Sequence, residues 1–242
     1  MRLVRKGYDA QYFDSFADRI PLYRDIIASR MASIVRQVAS GGRLLELGCG
    51  DGRLLAMLAK DFDVTGIDIS EYAIARARRR IPDANLLVGD VAVCTQDGRY
   101  DVVLALNVLE HLPDPGAVML RVGEMLEENG KFIFAVPNKH GLVGSALVAL
   151  MNRMDRTHIS TYSRERWLEL AGELGFGQIR VLNATWFGPS RHDFAKHLAP
   201  IVIVVLYKKP QEHPPADQAP GDPIDVAMAL ARHPELITGQ YE

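Results

Sequence analysis

Three glycines at alternate positions follow a short apolar run, and their spacing is suited to binding a cofactor. The run Arg43–Leu47 has the composition of a buried strand, and Gly48, Gly50 and Gly52 follow it just before a helical pattern. Glycine tolerates positive φ and lets the backbone approach a ligand without an intervening Cβ. A helix that begins there adds backbone N–H donors that have no partner inside the helix. The loop is therefore predicted to bind a nucleotide-like ligand.

The glycine spacing bears on which class of cofactor would be bound. Dinucleotide-binding loops read G-x-G-x-x-G, and the third glycine of that pattern would fall at Arg53. The spacing found is G-x-G-x-G, preceded by Glu46. Asp68, about twenty residues further on, can accept hydrogen bonds from both ribose hydroxyls, which either class of cofactor would use. The loop and Asp68 alone leave both classes open.

The segments around the loop alternate between short apolar runs and helical patterns. Strands that alternate with helices pair in parallel through right-handed crossovers, so the expected fold class is α/β, a doubly wound and mostly parallel sheet. Ligands bind such sheets at the carboxyl ends of the strands. The predicted strands are Arg43–Leu47, Asp63–Asp68, 85–89, Tyr100–Leu106, 131–136, 178–185 and 201–207, and the predicted helices are 21–39, 53–61, Glu71–Arg80, 115–127 and 164–174.

Further motifs follow the third and fourth predicted strands. Gly89-Asp90-Val91 closes the third strand, and the stretch from Glu110 to Pro115 (E-H-L-P-D-P) follows the fourth. With the glycine loop and Asp68, these motifs resemble the class I S-adenosylmethionine-dependent methyltransferases over about residues 41–208. That family has a Rossmann-like fold with a seven-stranded sheet whose last strand is antiparallel.

The resemblance implies S-adenosylmethionine as cofactor and S-adenosylhomocysteine as product. It implies that Asp68 binds the ribose, and that Asp90 accepts from the adenine amino group while the next backbone N–H meets the ring. The cofactor-binding residues implied in this way are Glu46, Gly48, Cys49, Gly50, Gly52, Asp68, Ile69, Asp90, Val91 and Asn107.

The segment after the fourth strand indicates the branch of the family. Enzymes that methylate exocyclic base or glutamine nitrogens carry [DNS]-P-P-[YF] there, whereas this chain reads N-V-L-E, and no cysteine lies there for attack on a cytosine ring. The E-H-L-P-D-P stretch resembles ubiquinone-type and natural-product methyltransferases, as does H-I-S-T-Y-S from His158 to Ser163. A small-molecule acceptor is expected, with O-methylation first and N- or C-methylation as alternatives. The rival functions are a dinucleotide-dependent oxidoreductase and a non-catalytic cofactor-binding protein.

Two histidines are candidates for the base that an O-methyltransferase needs. An imidazole, with an unperturbed pKa near ~6.5, can take a proton from a phenol or enol. His111 is ranked first because it directly follows the fourth strand and its position depends on the rigid sheet, and His158 second because it lies in the inserted segment 138–162. A divalent cation on Asn107, Glu110 and His111 is the alternative. An amide at Asn107 is a poor ligand, so no metal is expected.

Composition sets the remaining expectations. The 242 residues carry a net charge of -2 and two cysteines, with no apolar run long enough to cross a membrane and no signal peptide. A cytoplasmic protein is expected, without nucleic acid or stable membrane insertion, and with a homo-oligomer as an option. The expected organisation is an N-terminal helical cap (1–40), a methyltransferase domain (41–208) with a lid insertion (138–162), and a Pro-rich tail with a short helix (209–242).

Overall fold

A computed structural model of the chain describes residues 21–93, 98–138, 158–185, 188–190 and 201–209. The chain divides into two compact units, Met1–Lys209 and Pro210–Glu242, and the second lies wholly outside the described residues. No described helix is both long and apolar enough to cross a membrane.

The described residues form one sheet of eight strands, β1 Arg43–Leu47, β2 Asp63–Asp68, β3 Asn85–Val88, β4 Tyr100–Leu106, β5 Leu126–Pro137, β6 Phe176–Thr185, β7 Gly188–Ser190 and β8 Ile201–Lys208. Their order in the sheet is β3-β2-β1-β4-β5-β8-β6-β7. Strands β1 to β5 pair in parallel, whereas β8 runs antiparallel to both of its neighbours, β5 and β6. This confirms the doubly wound α/β fold with an antiparallel last strand.

Five described α-helices connect or flank the strands, and three of them begin at capping side chains. Ser70, Asp114 and Ser163 each accept a hydrogen bond from the backbone N–H three residues later, which satisfies one unpaired donor of the first turn. A single 3₁₀ turn, Leu109–His111, follows β4. The helices are α1 Pro21–Val38, α2 Arg53–Leu58, α3 Glu71–Arg80, α4 Pro115–Met125 and α5 Arg164–Glu173.

Apolar side chains fill both faces of the sheet, so the sheet forms the middle layer of three. Because successive strand residues point to opposite faces, Leu44 joins the cluster that packs under α1, α2 and α3, and Leu45 joins the cluster under α4 and α5. Both leucines are fully buried. A strand buried on both sides is rigid, and it fixes the positions of the loops that leave its carboxyl end.

Two parts of the sheet differ from the sequence prediction. An eighth strand, Gly188–Ser190, lies between the predicted strands 178–185 and 201–207, and it forms a hairpin with β6. Strand β5 begins at Leu126 rather than at residue 131. Leu126 is buried and pairs with Tyr100, and the register then shifts past Asn129, whose φ is 62°. Strand periodicity fails across such a bulge, which hides the early start.

Several predicted segments lie outside the described residues. They are most of the proposed lid, the first half of the N-terminal cap, the second cysteine at position 94 and almost all of the Pro-rich tail.

Candidate functional site

The predicted cofactor residues all lie at one edge of the sheet. Four neighbouring parallel strands, β3, β2, β1 and β4, end at this edge, and a loop leaves each of them. The structure therefore brings together segments that are as much as about sixty residues apart in the chain. They are Glu46, Gly48, Cys49, Gly50 and Gly52 at the end of β1, Asp68 and Ile69 at the end of β2, Asp90 and Val91 after β3, and Asn107 after β4.

The glycine loop needs glycine for reasons of conformation and of space. Gly48 has a φ of 68°, and a Cβ there would lie 2.4 Å from Cγ2 of Val108. Gly52 has a φ of 71°, and its Cβ would lie 3.0 Å from that of Ala77 on α3. The backbone of the loop thus packs against the segment after β4 on one side and against α3 on the other.

Asp68 is hydrogen-bonded to the backbone of the glycine loop. Its Oδ2 accepts a hydrogen bond from the Gly50 backbone N–H at 2.8 Å, and its Oδ1 accepts one from Ser70 N–H at 2.9 Å. Burial raises the pKa of the Asp68 carboxyl, while these two hydrogen bonds act in the opposite direction. Each oxygen keeps a second lone pair, so Asp68 can hold the loop and accept ribose hydroxyls simultaneously.

Glu46 adds a second buried carboxyl next to the loop. Its side chain is 5% exposed, and Oε2 has no hydrogen-bond partner among the described residues. Burial raises the pKa of this carboxyl well above its usual value, and the charges of Asp68 and Asp51 raise it further. A buried oxygen of this kind destabilises the empty protein, and it fits a ligand that carries a positive charge.

Cys49, in the glycine loop, is a buried thiol. Burial raises the pKa of the Cys49 thiol, and the nearby charges of Glu46 and Asp68 contribute in the same direction. The thiol therefore stays neutral, and its side chain packs in the apolar cluster beside α2. A cofactor can contact Cys49 only as a small uncharged loop residue.

The loop after β3 is held by its own acid and by a helix. Asp90 Oδ1 accepts from the Ala92 backbone N–H at 2.8 Å, and Arg121 of α4 donates to the Ala92 carbonyl. Asp90 and Val91 are both half-buried. Sequence reasoning missed the role of Arg121, because nothing local to α4 indicates that its side chain reaches a loop 29 residues earlier.

The structure brings the two candidate bases together. The imidazole rings of His111 and His158 lie edge to face, with their centroids 4.7 Å apart. The Glu110 backbone carbonyl accepts from the N–H groups of both Ile159 and Ser160 at 2.9 Å, and the Ser160 hydroxyl donates to the Leu112 carbonyl at 2.6 Å. The segment that contains His158 is therefore bound to the 3₁₀ turn that contains His111.

The same cluster includes the groups that could hold a cation. Potential ligand atoms of Glu110, His111 and His158 all lie within 4.8 Å of one another, and Glu110 is buried. Asn107, the third ligand considered from the sequence, has a φ of 53° and is exposed at the end of β4. If a divalent cation binds here, His158 is a better candidate than Asn107 for the third ligand.

Comparisons with known proteins agree with this geometry. A family model for a methyltransferase domain matches residues 17–181. Ubiquinone biosynthesis O-methyltransferases are similar: that of Coxiella burnetii is 31% identical over 118 residues, which is 46% of this chain and 50% of the relative. That of Methylococcus capsulatus is 28% identical over 57% of this chain and 68% of the relative. The chain spans about half the length of several of the curated relatives that it matches.

Solved structures share the fold at low identity. A methyltransferase from Thermotoga maritima, described as a possible histamine N-methyltransferase, has a TM-score of 0.66 at 18% identity and covers 82% of this chain and 98% of its own. The magnesium protoporphyrin IX methyltransferase of Synechocystis, solved with bound S-adenosylhomocysteine, has a TM-score of 0.59 at 18% identity and covers 78% of this chain and 85% of its own. Since the family model matches more than half of the residues, the chain belongs to the methyltransferase-domain family.

Proposed function

We propose that this protein transfers a methyl group from S-adenosylmethionine to a small-molecule acceptor, with a hydroxyl oxygen as the methylated atom. The observation that carries the proposal is a pair of buried carboxyls, Glu46 and Asp68, next to the glycine loop. In that loop Gly48 and Gly52 have positive φ, and a Cβ at either position would be crowded. Family membership and the likeness to ubiquinone biosynthesis O-methyltransferases support it.

The charge of the site favours this cofactor over a dinucleotide. S-adenosylmethionine carries a sulfonium and an ammonium group, whereas a dinucleotide brings an anionic pyrophosphate to the glycine loop. Three acids, Glu46, Asp51 and Asp68, lie at or near that loop, and the two arginines that reach it, Arg53 and Arg80, contact Asp51. Buried carboxylates attract a cationic ligand and repel a pyrophosphate. The oxidoreductase alternative is therefore disfavoured.

Each cofactor-binding role can be given to one of the described residues. Asp68 would accept the ribose hydroxyls, Asp90 and the Val91 N–H would meet the adenine, and the free Oε2 of Glu46 would accept from the ammonium group. The cofactor supplies an activated methyl group bound to a good leaving group. The protein's contribution is therefore to orient the acceptor and, for a hydroxyl, to remove its proton.

We propose that His111 is the base. A neutral imidazole at His111 would accept the hydroxyl proton as the acceptor oxygen is methylated, and His158, 4.7 Å away, would orient the ring or share the charge. The three hydrogen bonds between residues 110–112 and 159–160 support a fixed position for both rings. Metal-assisted deprotonation by Glu110, His111 and His158 is the second candidate, since their potential ligand atoms lie within 4.8 Å.

We also propose that the insertion at 138–162 covers the acceptor. Its two described ends support this role: Asn138 is fully buried where β5 ends, and His158 lies against His111. The proposed organisation otherwise stays as the sequence predicts it, with a helical cap (1–40), a methyltransferase domain (41–208) and a Pro-rich tail (209–242).

Two measurements test the function. Calorimetry should show binding of S-adenosylmethionine and S-adenosylhomocysteine but not of NAD. A panel of phenols, catechols, amines, carboxylates and acyl-carrier thioesters, followed by S-adenosylhomocysteine release, should give turnover with a hydroxyl acceptor. Binding of NAD alone would establish the oxidoreductase alternative, and binding without turnover for any acceptor would favour a non-catalytic protein. Loss of turnover on chelation, with recovery on adding a divalent cation, would select the metal mechanism.

A further inference from the structure

A chain of four charged side chains links the N-terminal helix to the glycine loop. Asp25 of α1 accepts from Arg53 Nη1 at 2.5 Å, and Arg53 Nη2 lies 3.4 Å from Oδ2 of Asp51. Arg80, the last residue of α3, donates to the same Oδ2 at 3.1 Å and to the Asp51 backbone carbonyl at 3.0 Å. Asp51, between Gly50 and Gly52, is thus contacted by arginines of α2 and α3, and Arg53 connects it to α1.

The Arg53–Asp51 pair is the buried part of this chain of charges, whereas Asp25 lies at its exposed end. The side chain of Asp51 is 4% exposed and that of Arg53 is 15% exposed, whereas Asp25 is 49% exposed. The two acids, Asp25 and Asp51, face two arginines, Arg53 and Arg80, so the formal charges of the four side chains are equal and opposite. A buried ion pair depends strongly on the position of its partner, and removing that partner leaves an uncompensated charge.

Arg53 lies closer to Asp25 than to Asp51, which suggests how Asp25 acts on the loop. Arg53 contacts Asp25 at 2.5 Å but Asp51 at only 3.4 Å, so the guanidinium is held mainly from the helix side. Arg53 is also the first residue of α2, directly after Gly52. Without Asp25, the guanidinium would be free to move fully onto Asp51 or away from it, and either movement changes the support of the glycine loop.

We propose that Asp25 is a positioning residue for cofactor binding, acting through Arg53 and Asp51 on the glycine loop. The proposal rests on the function proposed above, because the ligand whose affinity it affects is S-adenosylmethionine. Asp25 is half-exposed and far in sequence from the loop, so its effect comes from the tertiary contact and not from local chain geometry.

The test compares Asp25→Asn with a matched control on the same helix. Arg36 of α1 pairs with Asp61, just after α2, at 2.7 Å, with similar exposure on both sides, and it does not contact the glycine loop. Asp61→Asn therefore removes one negative charge and one bridge between α1 and the α2 region. Asp25→Asn should raise the Kd and KM for S-adenosylmethionine by roughly 2- to 5-fold, as for a partly exposed ion pair, with kcat nearly unchanged. Asp61→Asn should leave both constants at the wild-type value.

Two further variants separate positioning from general destabilisation. Asp25→Glu keeps the carboxylate and should restore most of the affinity for S-adenosylmethionine. In an Arg53→Gln background, Asp25→Asn should cause no further loss of affinity, because the contact through Arg53 is already broken. Equal affinity losses in Asp25→Asn and Asp61→Asn would overturn the proposal, as would an undiminished effect of Asp25→Asn in the Arg53→Gln background. If the wild-type protein binds no S-adenosylmethionine, the proposed function fails and this inference fails with it. Wild-type binding with an unaffected Asp25→Asn variant refutes the inference alone.

Discussion

Replacing Glu46 with glutamine should stabilise the empty protein and weaken cofactor binding in the same variant. Glu46 is buried at the end of β1, its Oε2 has no partner among the described residues, and burial and two neighbouring acids raise its pKa. A raised pKa means that the folded protein holds the proton more tightly than the unfolded chain. Stability therefore falls as the pH rises from the unfolded value through the folded one. The neutral amide removes that loss.

The size of each effect follows from the contacts. A buried polar group without a partner costs about 1–3 kcal/mol of stability. Glutamine removes the buried charge but keeps an unpaired polar atom, so it recovers only part of that cost, and we expect the free energy of unfolding to rise by ~1 kcal/mol. For a chain of this length that corresponds to a rise in Tm of roughly 2–4 °C. Loss of a charge-assisted hydrogen bond to the cofactor's ammonium should cost ~1.5–3 kcal/mol, or about 10- to 100-fold in Kd.

Thermal unfolding and calorimetry across a pH series measure both effects. In the wild-type protein, affinity for S-adenosylmethionine should fall as the pH is lowered through the raised pKa of Glu46, because the proton competes with the cationic ligand. That dependence should flatten in Glu46→Gln. The control is Asp63→Asn, which removes an exposed charge at the opposite end of β2. A Glu46→Gln variant that is less stable than wild type at mildly alkaline pH, or that binds the cofactor as tightly, would refute the reasoning.

Three further predictions follow from the site. Asp68→Ala should weaken S-adenosylmethionine binding by on the order of 2 kcal/mol in calorimetry on folded protein, and unchanged affinity would contradict the ribose assignment. His111→Ala should lower turnover by roughly 10²–10⁴-fold with nearly wild-type cofactor affinity; full turnover in His111→Ala but not in His158→Ala would reverse their ranking. Gly48→Ala should lose about 1–3 kcal/mol in urea unfolding because its Cβ has no room, whereas Gly172→Ala on α5, with nothing within 4 Å, should be neutral or stabilising.

Strand and helix order could be predicted because the signals are local. Arg43–Leu47, Asp63–Asp68, Glu71–Arg80 and Tyr100–Leu106 occur with the bounds expected from periodicity and caps. The early start of β5 could not be predicted, because it depends on a cross-strand pair between Leu126 and Tyr100 on the far side of a bulge.

The sequence by itself determined the fold class and the family. Apolar periodicity specifies parallel strands, and glycine spacing with acids at strand ends specifies a nucleoside-binding edge, since both depend on short stretches of chain. Tertiary structure alone decided the contacts between distant segments. His158 lies against His111, Val108 leaves no room for a Cβ at Gly48, and Asp25 reaches the glycine loop through Arg53. Such contacts depend on sheet register and on how helices pack over it, and neither is encoded in the residues next to the site.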